Sequence, residues 1–266
     1  MMITVDASVP RTGTNYALGI PREAIAVMEE EARRIATVLD EPEWALDYFA
    51  SHKDRLALDY EWVRVNVAKQ ARILELGAYP FFVTRALMSV GFAVQTVDHP
   101  APQVGDLAQR LAVASASCDI EREGLPFADG TFDEVMFNEV FEHLRIDLLF
   151  TVGELLRVLK PGGRLWLSTP NVRSIRGLYN FLLKKQAWSR VGGGLFEQWN
   201  HLHTQGWMGH VREYTSTEVA DFLRATGFSV EHIVYRGRWS NPAARALSGL
   251  FPSLRPYFSC VAYKPT

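Results

Sequence analysis

The strongest constraint on the fold is the stretch 125–171. It reads LPFADGTFDEVMFNEVFEHL, then a helical segment, then LKPGGRLWLSTPN. Residues 132–137 form a short apolar-rich run suited to a buried parallel strand. A helix over 146–159, a turn at Lys160-Pro161-Gly162-Gly163 and a strand over 164–168 follow. Strands joined by a crossover helix lie parallel in one sheet, and such sheets take ligands outside the carboxyl ends of their strands. Asn138 and Glu139 stand at that end of the first strand, so a site is expected there.

The same rhythm extends both ways. Residues 71–77 read as a strand ending in an acid and a glycine, followed by a helix over 81–90 and a strand over 93–97 closed by Asp98. A helix over 107–113 and a short strand over 114–117 lead to Cys118-Asp119. Beyond an interruption at 171–212, a helix over 215–226 stops at Gly227. A strand over 228–235, a helix over 241–250 and a last strand near 258–263 complete the pattern. Alternation of this kind implies an α/β domain with a parallel sheet. Before it, Pro21 and Pro42 sit at helix starts. Residues 1–70 therefore read as a helical N-terminal extension. Its aromatics, Trp44, Tyr48 and Trp62 among them, serve the core, the substrate pocket or a dimer contact.

Composition narrows the function classes. The net charge of -2 exerts no general pull on nucleic acid or anionic membrane. The two cysteines, Cys118 and Cys260, suit a reducing compartment and cannot build a metal framework. The first residues lack a signal-peptide pattern, and no apolar run is long enough to span a bilayer. A cytoplasmic protein is expected.

The chemistry lies at the strand ends. Gly77 lets backbone approach a ligand with no side chain in the way, and Glu75 can accept from a cationic amino group. Asp98, 21 residues beyond Gly77, can grip both hydroxyls of a ribose. Asp119 can accept from an adenine amine. Three acids at three strand ends suit a ligand with an amine, a ribose and an adenine. The glycine-rich fingerprint of nicotinamide enzymes is missing, as is any Tyr-x-x-x-Lys pair.

The motifs ILELG, VDH, CDI, LPFADGTFDEV, NEVFEHL, LLRVLKPGGRLWLSTPN and HVREYTSTEVADFLRATGFSV, in this order, resemble those of class I S-adenosylmethionine-dependent methyltransferases that act on small molecules. The resemblance covers 71–171 and 210–235. It implies a doubly wound, mostly parallel seven-stranded sheet over 71–266, with a lid insertion at 171–212. It also implies that Glu75 and Gly77 lie by the methionine part of the cofactor, with Ala78 and Tyr79 among the cofactor-binding residues. Asp98 would hold the ribose, His99 would lie beside the adenine, and Asp119 and Ile120 would frame it. Asn138 would stand near the methyl group. No Asn/Asp-Pro-Pro-Tyr-like tetrapeptide follows the fourth strand, where Asn138-Glu139-Val140-Phe141 stands instead, so a nucleic-acid substrate is not expected.

The family's first loop carries acid-x-Gly-x-Gly-x-Gly, and here Tyr79 and Phe81 replace the second and third glycines. A tyrosine resists the positive φ that glycine allows, and Pro80 restricts Tyr79 to extended backbone. A different loop path is expected, with Tyr79 packed on the cofactor or closing part of its pocket. The departure also admits a chain that keeps the fold as a binding or scaffold protein without turnover.

Alignment does most of the work of methyl transfer, and an oxygen acceptor gains from a general base. The first candidate is His143 and the second His210. His201-x-His203 in the insertion is too unspecific a pattern to assign a metal, so no metal is assigned. The insertion is also basic: Arg173, Arg176, Lys184, Lys185, Arg190 and Arg212 meet a single acid, Glu197. Its first helix puts Ile175, Leu178 and Leu182 on one face and Arg173, Arg176, Asn180 and Lys184 on another. That is an amphipathic lid, a surface for an anionic acceptor, or a helix lying on a membrane.

Overall fold

A computed structural model describes residues 20–189, 191, 194–205 and 209–266. Arg190 and residues 1–19 of the expected extension lie outside the described residues. Two helices, α1 (Arg22–Ala36) and α2 (Pro42–Asn66), precede the sheet. Then come β1 (Arg72–Leu76), α3 (Phe82–Ser89), β2 (Ala93–Asp98), α4 (Pro102–Arg110), β3 (Ala114–Ser117) and β4 (Phe132–Asn138). A 3-10 turn, Phe141–His143, leads to α5 (Leu148–Val158) and β5 (Leu159–Pro170). The insertion holds α6 (Ile175–Tyr179), a π turn (Asn180–Lys184) and α7 (Leu195–Gln205). The chain closes with α8 (Ser216–Ala225), β6 (Ser229–Arg236), α9 (Pro242–Leu250) and β7 (Tyr257–Tyr263).

The seven strands run in the order β3-β2-β1-β4-β5-β7-β6. The first five strands in that order are parallel, and β7 pairs antiparallel with both β5 and β6. The expected mostly parallel sheet is therefore present. Its order reverses beside β1, where ligands bind in such folds.

Alternate side chains of each strand go to opposite faces. Val135 and Phe137 of β4, with Leu165 and Leu167 of β5, pack under α5 and α8. Ile73, Met136 and Trp166 face the other way and meet Met28, Ile35, Phe49 and Val63 of α1 and α2. One core cluster thus takes residues from both sides of the expected boundary at residue 70. The N-terminal helices are a covering layer of the sheet.

A buried ionic knot fastens that layer. Both carboxylate oxygens of Asp59 in α2 accept from the Arg236 guanidinium of β6, and one also accepts from Trp166 Nε1 at 2.7 Å. Arg236 donates further to Ser259 Oγ of β7 at 2.9 Å. One helix is thereby tied to three strands.

Two boundaries differ from expectation. Helix α4 starts five residues early because Pro102 occupies its first turn, where a proline costs no hydrogen bond. Strand β5 starts at Leu159, so the expected turn at 160–163 becomes its first part. Gly162, with φ at +74°, bends there while its N–H reaches Lys264 O at 2.9 Å. Cys118 and Cys260 are buried free thiols. Among the described residues, no helix is long and apolar enough to cross a membrane.

Candidate functional site

The carboxyl ends of β1 to β4 open into a cavity of about 1090 Å³. Gly77 and Tyr79 line it after β1, Asp98 and His99 after β2, and Asp119 and Ile120 after β3. His143 and His210 line it too. Trp44 and Tyr48 of α2 and Gln198 and His201 of α7 extend the wall, so the N-terminal layer and the insertion both contribute.

Backbone geometry shapes the first loop. Gly77 has φ at +66°, and a β-carbon on it would lie 2.5 Å from Cγ2 of Val140. Any side chain would push the loop away from the β4 end. The Tyr79-Pro80 peptide is cis. Phe81 has φ at 72° and caps α3 with its ring fully buried. The left-handed conformation that suits a glycine is thus kept at Phe81, and its ring is absorbed by a small core cluster with Val104 and Leu107. Tyr79 lies against Trp44, their ring centroids 6.0 Å apart. It forms part of the cavity wall.

Asp98 is the anchor of this loop. Its Oδ2 accepts from the Tyr79 N–H at 2.8 Å and its Oδ1 from the His99 N–H at 3.1 Å. Burial raises its pKa, and the backbone donors act against that rise. Each oxygen keeps lone-pair capacity for a ligand. Asp119 is held less tightly, with Arg122 Nη1 at 3.3 Å.

Three expected contacts are placed differently. Glu75, Ala78 and Asn138 do not line the cavity. The Glu75 carboxylate is buried and accepts from Thr84 Oγ1 of α3. Ala78 belongs to the Phe81 cluster. Both polar atoms of the Asn138 side chain are buried, with no hydrogen-bond partner among the described residues.

Burial pushes the Glu75 pKa from 4.5 up to about 8. The folded chain therefore keeps a proton that the unfolded chain releases. Stability from this group is lost as pH rises from about 5 toward 8. Glu75→Gln copies the protonated form and keeps an acceptor for Thr84. It is expected to lose fewer degrees of Tm than the parent between about pH 5.5 and about pH 8. Equal losses in differential scanning fluorimetry would refute this.

Sequence reasoning missed Arg55 and gave Glu139 a place but no role. Arg55 of α2 pairs with Glu139 Oε2 at 2.7 Å, both largely buried at the cavity edge. Burial, the largest influence, opposes the Arg55 charge, but Glu139, Tyr48, Tyr257 and Asp59 together outweigh it and raise the pKa. The signal for Glu139 was its strand-end position. Arg55 gave none, because α2 reaches the site only through packing.

The two candidate bases meet edge to face, with ring centroids 4.8 Å apart. His143 Nδ1 lies 2.9 Å from Gly209 O. Burial, then the nearby His210, brings its pKa down to about 4, so it is neutral at neutral pH. A general base works best with a pKa near the working pH, which disfavours the first candidate. Burial also opposes charge on His210, but Nδ1 lies 3.1 Å from Glu213 Oε1 and the net shift is upward. Glu142 joins them, its Oε2 accepting from Thr169 Oγ1 at 2.8 Å. Burial, then Glu139, pushes its carboxyl up. His201 lines the cavity, whereas His203 does not.

The insertion departs from an amphipathic lid. Leu178, Phe181, Leu182 and Leu183 are exposed, Leu182 at 71%, as are Arg173, Arg176 and Lys184. Apolar and basic side chains therefore share the outer surface of this segment.

A sheet of this order, with Asp98 at the end of β2 and Asp119 just beyond β3 lining one cavity, defines a doubly wound α/β domain with its candidate site at the strand ends. The methyltransferase domain family matches residues 23–233. The demethylmenaquinone methyltransferase of Clavibacter sepedonicus is 31% identical over 191 residues, 65% of this chain and 75% of that one. The ubiquinone biosynthesis O-methyltransferase of Xanthomonas oryzae pv. oryzae is 32% identical over 120 residues, 43% of this chain and 48% of that one. Other curated relatives are matched over 34% and 48% of their own length. An S-adenosylmethionine-dependent methyltransferase of Thermotoga maritima shares the fold, with a TM-score of 0.55 at 16% identity, covering 84% of this chain and 95% of that one. The chain belongs to the class I S-adenosylmethionine-dependent methyltransferases, a family whose cofactor is S-adenosylmethionine.

Proposed function

We propose that this protein methylates an oxygen of a small-molecule acceptor. The observation that carries the reading is shared lining: the Asp98 and Asp119 strand ends and the His143–His210 pair border one cavity. A volume of about 1090 Å³ has room for a cofactor and a second molecule.

The residues fit the cofactor. Asp98 has lone pairs to spare for a ribose diol, and Asp119 with Ile120 suits an adenine. Gly77 leaves backbone open to the methionine part. S-adenosylmethionine, when bound, supplies a methyl group already activated on a sulfonium. The protein's own contribution is alignment and exclusion of water. Tyr79 and Trp44 close one side of the cavity with aromatic surface, and Gln198 and His201 of α7 border it from the insertion. The exposed Arg173, Arg176 and Lys184 of the insertion favour an acceptor carrying negative charge. Oxygen is preferred as the methylated atom because two imidazoles border the cavity with the Glu142 carboxyl beside them. Of these, His210 is the candidate acceptor for a hydroxyl proton.

Calorimetry with S-adenosylmethionine, followed by methyl transfer to a panel of phenols, sugar nucleotides and carboxylated alcohols, tests this reading. Saturable binding at one cofactor per chain and an O-methylated product are expected. Absence of heat and of thermal shift at about 1 mM cofactor would overturn it in favour of a non-catalytic fold relative. Product methylated on carbon would overturn the choice of oxygen.

A further inference from the structure

Glu142, His143 and His210 each bring one ligand atom to a common point, all within 4.8 Å of one another. The first two come from the 3-10 turn after β4, and the third from the segment entering α8. Proximity alone is weak. The surroundings of each side chain carry the argument.

Every one of the three is oriented by a partner that leaves its other ligand atom free. Gly209 O can only accept, so His143 Nδ1 carries the proton at that 2.9 Å contact and Nε2 keeps its lone pair. The Glu213 carboxylate likewise accepts from the Nδ1–H of His210 and leaves Nε2 with its lone pair. Glu213 is itself held on its second oxygen by the N–H of Ser189, at 2.6 Å, and by the Ser189 hydroxyl. Thr169 occupies Oε2 of Glu142, and Oε1 stands 4.0 Å from His143 Nε2. Metal-bound histidines nearly always donate their other N–H to a backbone carbonyl or a carboxylate. Here one histidine does each.

The charges agree. Glu142 is buried, and among the described residues no Lys or Arg pairs with it. The nearby Arg55 is engaged by Glu139. We propose that Glu142, His143 and His210 form a site for one divalent cation of borderline softness, such as Zn²⁺, in the cavity wall. Two imidazoles and one carboxylate suit such ions. The spacing is close enough for side-chain rotation to bring three bonds of roughly 2.0–2.2 Å to one ion. Both histidines border the cavity, so the ion keeps open positions there, as catalytic sites do and closed structural sites do not. His203 and the Cys pair take no part. The role of the ion rests on the proposed O-methylation: it holds the acceptor's hydroxyl oxygen and lowers the pKa of that group, so that with the ion bound the proton passes to solvent and the imidazoles serve as ligands in place of a base.

The test needs neither cofactor nor acceptor, so its result is independent of methyl transfer. The untagged full chain, stripped with chelator, is titrated with Zn²⁺ by calorimetry, and retained metal is counted by elemental analysis after dialysis. One ion per chain is expected. Glu213→Gln, which weakens the hold on His210 without removing a ligand, should weaken binding roughly tenfold to 100-fold. His143→Ala should abolish stoichiometric retention, and the exposed-residue control His203→Ala should retain it. No stoichiometric Zn²⁺ in the parent, or unchanged binding in a folded His143→Ala chain, overturns the site. Should His143→Ala not fold, the parent loaded with Co²⁺ decides. Strong visible bands of a four- or five-coordinate ion support the site, and the weak bands of hydrated Co²⁺ overturn it.

Discussion

Arg236→Met is expected to destabilise the protein by about 3–5 kcal/mol, the cost of stranding a buried charge by removing its partner. Asp59 is 1% exposed and Arg236 2%, so water cannot replace the lost guanidinium. The Asp59 carboxylate would keep only the Trp166 indole N–H. At roughly 2–4 °C per kcal/mol for a chain of this size, Tm should fall by roughly 6–20 °C in differential scanning calorimetry. The double variant Asp59→Leu with Arg236→Met separates charge burial from packing. Replacing both charges by apolar groups is often near neutral, but it leaves the Trp166 N–H without its acceptor, at about 1–3 kcal/mol. The double variant should therefore recover part of the loss. A single variant within about 1 kcal/mol of the parent would show that the knot is not what fastens α2. The consequence reaches the cavity, because α2 also carries Trp44, Tyr48 and Arg55.

That knot also marks where the sequence stops being informative. Its partners lie 177 residues apart, and nothing in the local pattern of either segment pairs them. The sheet was legible because a strand's apolar run and its closing acid are local signals, and Asp98 and Asp119 stand where those signals put them. Phe81 shows the limit of a local rule. Its positive φ is unfavourable for the residue alone, yet burial of the ring among Val104 and Leu107 compensates. The exposed Leu182 and Phe181 show the opposite limit, since helical spacing marks an apolar face without saying that anything covers it. The cluster of Glu142, His143 and His210 combines both cases. Glu142 and His143 are adjacent in the chain, but His210 reaches them through tertiary contacts, among them the backbone N–H of Val211 donating to the Glu142 carbonyl at 2.8 Å. That contact fixes the insertion's return to the sheet.

Asp98→Ala is expected to weaken S-adenosylmethionine binding at least about 100-fold. The carboxylate is assigned two tasks, and alanine removes both. It holds the loop through the Tyr79 and His99 N–H groups, and it faces the cavity where we place the ribose. Each hydrogen bond to a charged group contributes about 1.5–3 kcal/mol. Loss of two from the ribose therefore amounts to at least about 3 kcal/mol, or roughly two powers of ten in Kd. Asp98→Asn separates the two tasks. One oxygen remains to accept from Tyr79 N–H, so the loop should stay in place, while the amide pairs with only part of a diol. Its Kd, measured by calorimetry, is expected between those of the parent and the alanine variant. The parent's own burial-raised pKa at Asp98 gives a second handle. Affinity should fall as pH drops and the carboxyl protonates, and in Asp98→Asn that fall should be absent. An alanine variant that binds S-adenosylmethionine within about threefold of the parent, with Tm unchanged, would move the ribose away from β2 and with it the whole orientation of the cofactor in this cavity.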